Sequence, residues 1–265
     1  PTCNISLTYI DSKKIAKCHY CDYRVPLHQA CKCKGEKTLL VGFGLEQVHK
    51  TVAMMFPKAQ IKQVDSDAMS SIDDIQELLS DIEDHRVDIL IGTNMLTRAI
   101  SSDDVTMVGM LYADSFLYRN DYRSAEKTFQ LLAKMVSKPV CIIQTYHKDH
   151  YAIAHAASAN YYKFYEEEIK IREMLHYEPF YNLSRITIKG PFNDMYHFAN
   201  YYKKAIRHII GDNILGPSYD YKLKGVKLIV KYHDVKKIIS VLNDAVRNFN
   251  NSALTIRFER YPKEI

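Results

Sequence analysis

Apolar residues recur along this chain with two alternating periods. Five short apolar runs predict buried β-strands, at residues 38–42, 60–64, 87–91, 105–111 and 140–144. Two amphipathic helices lie between the first three runs; one face carries Leu45, Val48, Val52 and Met55, and the other carries Ile72, Ile75, Leu78, Leu79 and Ile82. Because strand and helix alternate, the pattern predicts a parallel sheet covered by helices on both faces.

The pattern changes in the last third of the chain. Residues 148–178 have helical character and predict a connector helix that ends at the Glu178-Pro179 break. A second alternation follows, with strands at 183–189, 213–217, 226–232 and 253–259 and helices at 193–210 and 234–249. This βαββαβ order is the split-βαβ arrangement of a small α/β sandwich.

The patterns together divide the 265 residues into four parts. These are a cysteine-rich segment at 1–36, a parallel-sheet domain at 37–147, the connector at 148–178 and a C-terminal α/β domain at 179–265. No run approaches the roughly 18 apolar residues of a membrane-spanning helix, and no secretory leader precedes the cysteines. We therefore expect no membrane association and a cytoplasmic location, and a chain that starts inside a cysteine pattern is expected to belong to a longer protein.

Five of the six cysteines lie in the first 33 residues. They are Cys3, Cys18, Cys21, Cys31 and Cys33, and they include a C-x-x-C and a C-x-C pair. Paired thiolates without a secretory context are typical of zinc ligands. The sequence therefore predicts a zinc module, at least in part, whereas Cys141 lies in an apolar strand and is expected in the core.

Positive charge is concentrated near the C-terminus. The whole chain has a net charge of +5, but from Pro179 onward fifteen Lys and Arg face seven Asp and Glu. Four lysines lie on and before one predicted strand, with tyrosines between them: Lys222, Lys224, Lys227 and Lys231, with Tyr219, Tyr221 and Tyr232. Lysines neutralise phosphates and tyrosines stack on bases, so this segment predicts DNA binding. The alternatives are a solvated lysine-rich surface and tyrosines that belong to the core.

An ordered set of short motifs runs through the chain. It comprises Cys18-His-Tyr-Cys21-Asp22, Gly42-Phe-Gly44-Leu-Glu46-Gln47, Phe56-Pro57, Asp65-Ser-Asp67, Ile91-Gly92-Thr93-Asn-Met95, Asp121-Tyr122-Arg123-Ser-Ala-Glu126, Gln144-Thr145, His150, Arg172, Pro179-Phe180 and Leu215-Gly216-Pro217. In this order they resemble the C-terminal half of the PriA family, the primosomal replication-restart DNA helicases. The resemblance extends over essentially the whole chain, and its specificity lies in the set rather than in any single motif.

The resemblance implies a zinc insertion within a RecA-like second helicase lobe. Eight family cysteines bind two zinc ions; by position Cys3, Cys18, Cys21 and Cys31 match the fourth to the seventh, and Cys33 lies one place before the eighth. The first three would precede Pro1, so neither family site closes within this chain. A rearranged site formed by Cys18, Cys21, Cys31 and Cys33 and a set of free thiols are the alternatives.

The resemblance also implies that residues 37–147 close over ATP and Mg²⁺ bound by another lobe of the full-length protein. The chain has no G-x-x-x-x-G-K-[ST] loop, so we expect no ATP hydrolysis by this chain alone and assign no catalytic residue. The fifth helicase motif has Ala99 where the family has glycine. The sixth lacks its arginines, with Lys138 in the matching stretch, and lysine does not replace a forked guanidinium.

Several residues are then assigned weaker roles. Gly92 and Thr93 end a strand and face either a phosphate or a helix that Thr93 caps, while Asp121, Arg123 and Glu126 are either interlobe contacts or a helix cap with surface ions. Lys236 and Lys237 match the region that contacts the acidic tail of single-stranded DNA-binding protein. His147 and His150 have metal-pair spacing, but a loop-capping role is favoured.

These observations predict a protein that binds DNA at stalled forks and supports primosome assembly, with degenerate ATPase motifs. Expected partners are forked or single-stranded DNA, single-stranded DNA-binding protein and primosome components. One alternative is a piece of an active ATP-dependent 3′–5′ DNA helicase whose nucleotide-binding lobe lies elsewhere. Another is a decayed structural lobe that binds neither DNA nor nucleotide.

Overall fold

The computed structural model of this chain describes residues 8–10, 15–18, 23–26, 44–64, 72–94, 96, 105–119, 121–137, 139–221 and 223–262. The described residues form a mixed α/β structure with parallel and antiparallel strand pairs. They divide into two compact units. Unit 1 comprises described residues of 1–37, 118–124 and 165–265, and unit 2 comprises those of 38–117 and 125–164.

Unit 2 contains two parallel strand pairs. Strand β4 (Ile61–Val64) pairs with β5 (Ile89–Gly92), and β6 (Met107–Met110) pairs with β7 (Val140–Ile143). The helices of this part of the chain are α1 (Leu45–Met55), α2 (Ile72–Glu83), α3 (Ser124–Val136) and α4 (Tyr151–Ala157). The parallel pairing that the sequence predicts is confirmed, while the strand predicted at 38–42 lies outside the described residues.

The core of unit 2 forms where α3 and α4 pack together. Phe129, Leu132 and Ile153 are buried there, and the rings of Phe129 and Phe164 stack with centroids 4.0 Å apart. Burial of these large apolar side chains is the main favourable term for a unit of this size. Phe129, Leu132 and Met135 thus form one buried face of α3.

Gly92 occupies a position in β5 that has no room for a side chain. A Cβ added there would lie 2.6 Å from the backbone oxygen of Val64 in the paired strand. We expect Gly92→Ala to lower the free energy of unfolding by about 1–3 kcal/mol, because the paired strand must shift. Gly109→Ala is the matched control in β6, since its added Cβ would meet nothing within 4 Å.

Urea unfolding of the two glycine variants, followed by circular dichroism, checks this prediction. The Gly92 variant should unfold at a lower urea concentration than the wild type, and the Gly109 variant should not. Equal midpoints for the two variants would contradict the close approach of β4 and β5.

Unit 1 is built on a four-stranded antiparallel sheet. The strands are β8 (Asn182–Lys189), β9 (Ile214–Asp220), β10 (Gly225–Tyr232) and β11 (Thr255–Arg260), and they lie in the order β11-β8-β10-β9 across the sheet. Helices α6 (Phe192–Ile210) and α7 (Val235–Phe249) connect them in the order β8-α6-β9-β10-α7-β11. This is the βαββαβ order that the sequence predicts.

Both faces of this sheet carry apolar side chains. On one face, Ile186, Leu228 and Val230 pack in a core with Phe198 and Tyr202 of α6. The other face carries a second, smaller cluster composed of Cys18, Tyr177, Leu183, Leu215 and Ile229. Since a strand directs alternate side chains to opposite faces, successive residues of β10 reach different clusters and all of them are buried.

Residues 148–178, predicted as a connector helix, contain two helices. The first is α4, and the second is α5 (Tyr161–Met174). Between them Ala159 has a φ of 50°, in the left-handed region, which ends the helical hydrogen-bond pattern. Near the start of the chain, β1 (Thr8–Ile10), β2 (Ile15–Lys17) and β3 (Arg24–Pro26) form an antiparallel sheet. In the described part of the chain, no helix is long and apolar enough to cross a membrane.

Candidate functional site

The lysines that the sequence assigns to DNA binding divide into two groups. Lys227 and Lys231 are each only 3% exposed within β10, whereas Lys224 is exposed in the loop between β9 and β10. Lys222 lies outside the described residues. Solvent therefore reaches Lys224, whereas Lys227 and Lys231 are enclosed by protein.

Lys231 is held by contacts within unit 1. Its Nζ donates a hydrogen bond of 2.6 Å to the backbone oxygen of Leu175 and lies 3.7 Å from the centroid of the Tyr177 ring. A desolvated ammonium over an aromatic face is stabilised by the ring quadrupole. The ammonium of Lys231 therefore interacts with groups inside the protein.

Lys227 also has an internal partner. Its Nζ lies 3.3 Å from Asp220 Oδ2. Burial lowers the pKa of Lys227, and the neighbouring Asp220 carboxylate partly opposes that change. A phosphate in solution would have to displace packed residues to reach either β10 ammonium, so any outer surface for DNA has to be formed by other side chains.

The loop between β9 and β10 presents an aromatic ring and a cation to solvent. Tyr221 is 72% exposed, and Lys224 follows it at a φ of 50°. The Asp220 carboxylate accepts a 3.0 Å hydrogen bond from the backbone N–H of Leu223, which fixes the turn. Tyr221 and Lys224 are therefore both exposed to solvent at this end of the sheet.

Two further aromatic rings form a chain of contacts with Tyr221. Tyr221 contacts Tyr219 edge to face at 5.1 Å, and Tyr219 lies 6.0 Å from Phe192, measured between ring centroids. Phe192 is 61% exposed at the start of α6. No sequence motif includes Phe192, because a single aromatic residue after Gly190-Pro191 carries no signal of its exposure.

A groove on the sheet of unit 1 is likewise not predicted by any sequence motif. It is lined by Arg185, Thr187, Lys189, Leu223, Thr255, Arg257 and Glu259. The signal was present in β8, where polar residues 185, 187 and 189 alternate with buried Ile186 and Ile188. Period-two alternation marks one polar face of a strand, but it does not show that the face is open.

Lys236 and Lys237 are exposed in the first turn of α7. Asp234 begins this helix, and its carboxylate accepts a 2.8 Å hydrogen bond from the backbone N–H of Lys236. Both side chains are accessible to a partner.

Similarity to known proteins gives these residues a context. A family model described as the PriA DNA helicase Cys-rich region matches residues 1–26. A protein named replication restart protein PriA from Bacillus subtilis (strain 168) is 34% identical over 232 positions, covering 82% of this chain and 28% of the relative. Proteins of the same name from Thermotoga maritima and Borreliella burgdorferi are 29% and 27% identical and cover 92% and 99% of this chain.

The chain is a relative of the PriA replication restart proteins and corresponds to their C-terminal region. It covers 28%, 34% and 42% of the length of these three PriA relatives. The resemblance that the motifs predict is confirmed.

The match to the PriA Cys-rich region includes three of the five predicted zinc ligands. Of the five, Cys18 lies within the described residues, and Cys3, Cys21, Cys31 and Cys33 lie outside them. The backbone N–H of Cys18 donates a 2.8 Å hydrogen bond to the oxygen of Tyr23, which closes the loop between β2 and β3. Within the described part of the chain, no group of three or more His, Cys, Asp or Glu has the arrangement of a metal site.

The chemistry of Cys18 fits zinc. Its thiol forms no disulfide, Cys18 directly follows strand β2, and the sequence has C-x-x-C spacing from this position. Cys18 is also 1% exposed, among Tyr177, Leu183 and Ile229. Cys18, the described cysteine of the matched region, therefore packs on the sheet of unit 1.

The side chains of the PriA motif at residues 121–126 contact residues of their own unit. Arg123 Nε donates to Asp121 Oδ1 at 3.2 Å, and Arg123 Nη2 donates to the backbone oxygen of Pro262. Its guanidinium lies 5.2 Å from the centroid of the Tyr122 ring. In unit 2, Glu126 accepts a 2.9 Å hydrogen bond from Gln130.

Gly92 and Thr93 lie at the carboxyl end of β5. Thr93 is exposed, and its backbone oxygen accepts a 3.1 Å hydrogen bond from Leu96 N–H in the turn that follows. Ligands of parallel sheets are commonly held at this end of the strands. This geometry is compatible with both predicted roles of Gly92 and Thr93, a phosphate contact and a turn into a helix.

The carboxyl ends of β6 and β7 are joined by a buried carboxylate. Asp114 is fully buried and accepts hydrogen bonds from Thr145 Oγ1 at 2.7 Å and Tyr146 N–H at 3.0 Å. Burial raises the pKa of Asp114, but these two donors outweigh burial, and the pKa is lowered overall. Nearby, the His150 side chain caps α4 by accepting from Ala152 N–H, which confirms its predicted capping role.

Proposed function

We propose that this chain is the C-terminal part of a cytoplasmic replication restart protein that binds DNA at stalled forks and supports primosome assembly. The observation that carries the proposal is similarity to PriA proteins over 82–99% of the chain. Unit 2, with its parallel strand pairs, is proposed to be the second RecA-like helicase lobe, and the sheet of unit 1 is proposed to contact DNA.

The surface chemistry of unit 1 supports DNA as the ligand. Lys224 and Tyr221 are exposed together, and Lys189 and Arg257 lie on the polar side of the sheet. Cations bind phosphates and an exposed ring stacks on an unpaired base. In this proposal Lys236 and Lys237 contact the acidic tail of single-stranded DNA-binding protein, and the cysteines hold zinc in the full-length protein.

We expect the chain to bind a fluorescein-labelled forked oligonucleotide in a salt-dependent way. Three phosphate contacts give a slope of about −2.7 in log K against log salt, so affinity should fall about 40-fold between about 50 and 200 mM salt. Fluorescence anisotropy at several salt concentrations measures this slope, with a duplex that lacks a fork as the control. Absence of salt-dependent binding would contradict the proposal and favour a decayed structural lobe.

A second candidate, part of an active helicase, is favoured by the name of the matched family model. Hydrolysis would then require a nucleotide-binding loop from outside this chain, because the sequence contains no G-x-x-x-x-G-K-[ST] loop. We propose that Ala99 and Lys138, which lie outside the described residues, make the ATPase motifs degenerate. DNA-stimulated phosphate release by the full-length protein at ordinary helicase rates would support the second candidate instead.

A further inference from the structure

The groove over β8 and β11 lies on the sheet face opposite α6 and α7. The register pairs Lys189 with Thr255, Thr187 with Arg257 and Arg185 with Glu259. These six side chains form two adjacent rows on the same face, because paired residues of neighbouring strands point the same way. Leu223, from the loop between β9 and β10, completes the lining.

The charge of the groove is unevenly distributed along the strands. At one end Arg185 donates to Glu259 at 2.7 Å, so these two charges compensate one another. At the other end Lys189 and Arg257 are both exposed. They are diagonal neighbours in the register, with Cα atoms about 7–8 Å apart. A cationic end that includes the exposed Thr255 therefore adjoins a neutralised end.

The cationic end is also the end of the sheet at which the exposed ring of Tyr221 lies. Asp220 pairs with Gly225, Gly225 lies against Ile188, and Tyr221 follows Asp220 directly. None of the seven described residues that line the groove is aromatic, so the groove itself offers phosphate contacts and the Tyr221 ring beside it offers a stacking surface.

We propose that the Lys189–Arg257 end of this groove binds the phosphodiester backbone of single-stranded nucleic acid, with an unpaired base stacking on Tyr221. The inference rests on the proposed DNA binding and identifies the surface that performs it. Single strands are favoured over duplex because an exposed ring stacks on unpaired bases. They are favoured over an acidic peptide because a peptide would use the cations and leave the Tyr221 ring without a role.

The test is the affinity of the full chain for a fluorescein-labelled oligothymidine of about 15 nucleotides. The variant Lys189→Glu/Arg257→Glu should bind at least about 10-fold more weakly than the wild type, and the salt slope should be reduced in magnitude by about 1.4, since two phosphate contacts are lost. Tyr221→Ala should weaken binding about 5-fold or more and leave the salt slope unchanged.

The matched control is Lys204→Glu/Arg247→Glu. These residues are exposed on α6 and α7, on the opposite side of the sheet, and the double change alters net charge by the same amount. At about 0.15 M salt the Debye length is about 8 Å, so the control should change affinity less than about 2-fold. Unchanged thermal unfolding of both variants shows that folding is preserved.

The outcomes separate this inference from the proposed function. If the wild type binds oligothymidine and both double variants lose affinity equally, the groove assignment is wrong and DNA binding stands. If the wild type binds no DNA, both proposals fail. If the groove variant loses affinity only for a labelled Asp/Glu-rich peptide, the groove belongs to a protein partner and the inference is overturned.

Discussion

Replacing Tyr177 by alanine is expected to lower the free energy of unfolding of unit 1 by about 3–5 kcal/mol. Tyr177 is 2% exposed, and its ring stacks on Tyr122 with centroids 4.5 Å apart. The ring also lies beneath the Lys231 ammonium. The substitution therefore creates a cavity and removes both an aromatic pair and a cation–π contact.

Urea unfolding monitored by circular dichroism measures the effect of Tyr177→Ala. Tyr162→Ala is the control, because that ring is 78% exposed and its loss should change stability by no more than about 0.5 kcal/mol. A loss below about 1 kcal/mol for the Tyr177 variant would show that the cluster around Cys18 does not stabilise the sheet.

Asp114→Ala is expected to lower the free energy of unfolding by about 2–4 kcal/mol. The change removes the carboxylate that accepts from Thr145 and Tyr146, and it leaves both donors without that acceptor. Asp114→Asn keeps the size of the side chain and one acceptor oxygen, so its loss should be smaller. Equal stabilities of the wild type and the alanine variant would contradict the role of this carboxylate.

The contribution of Asp114 should also depend on pH. Its pKa is lower in the folded state than the ordinary value near 3.9, so its stabilising effect is fully present above about pH 5. The effect is lost as pH falls from about 4 through the folded-state pKa, because protonation then favours the unfolded state. The stability difference between the wild type and Asp114→Asn, measured from pH 7 to pH 3, should therefore shrink on acidification.

The pattern of the last third of the chain was sufficient to predict its strands and helices. Strand β10 was expected at 226–232 and is observed at Gly225–Tyr232. Alternating apolar residues and helical stripes are local signals, and the tertiary packing of unit 1 agrees with them. The boundaries of α6 and α7 differ from the predicted ones by one residue each.

The surroundings of the lysines could not be predicted in the same way. Lys227 and Lys231 alternate with apolar residues, which is typical of a strand with one solvated face. The structure buries both, because Tyr177, Cys18 and their neighbours pack on that face. Such cover comes from segments 50 or more residues away, and no local pattern indicates it. The groove at Lys189 and Arg257 was not predicted either, because no local pattern shows whether a strand face is covered or open.

The composition of unit 1 from three separate stretches limits how the protein can be dissected. A shortened polypeptide starting at residue 165 would lack Cys18 and Tyr122, which pack against Tyr177. Leu183, Leu215 and Ile229 would then lose apolar neighbours and become prone to self-association. Deletion variants designed to isolate the nucleic-acid-binding part therefore need to retain three stretches. These are the β1–β3 sheet, residues 118–124 and the C-terminal hundred residues.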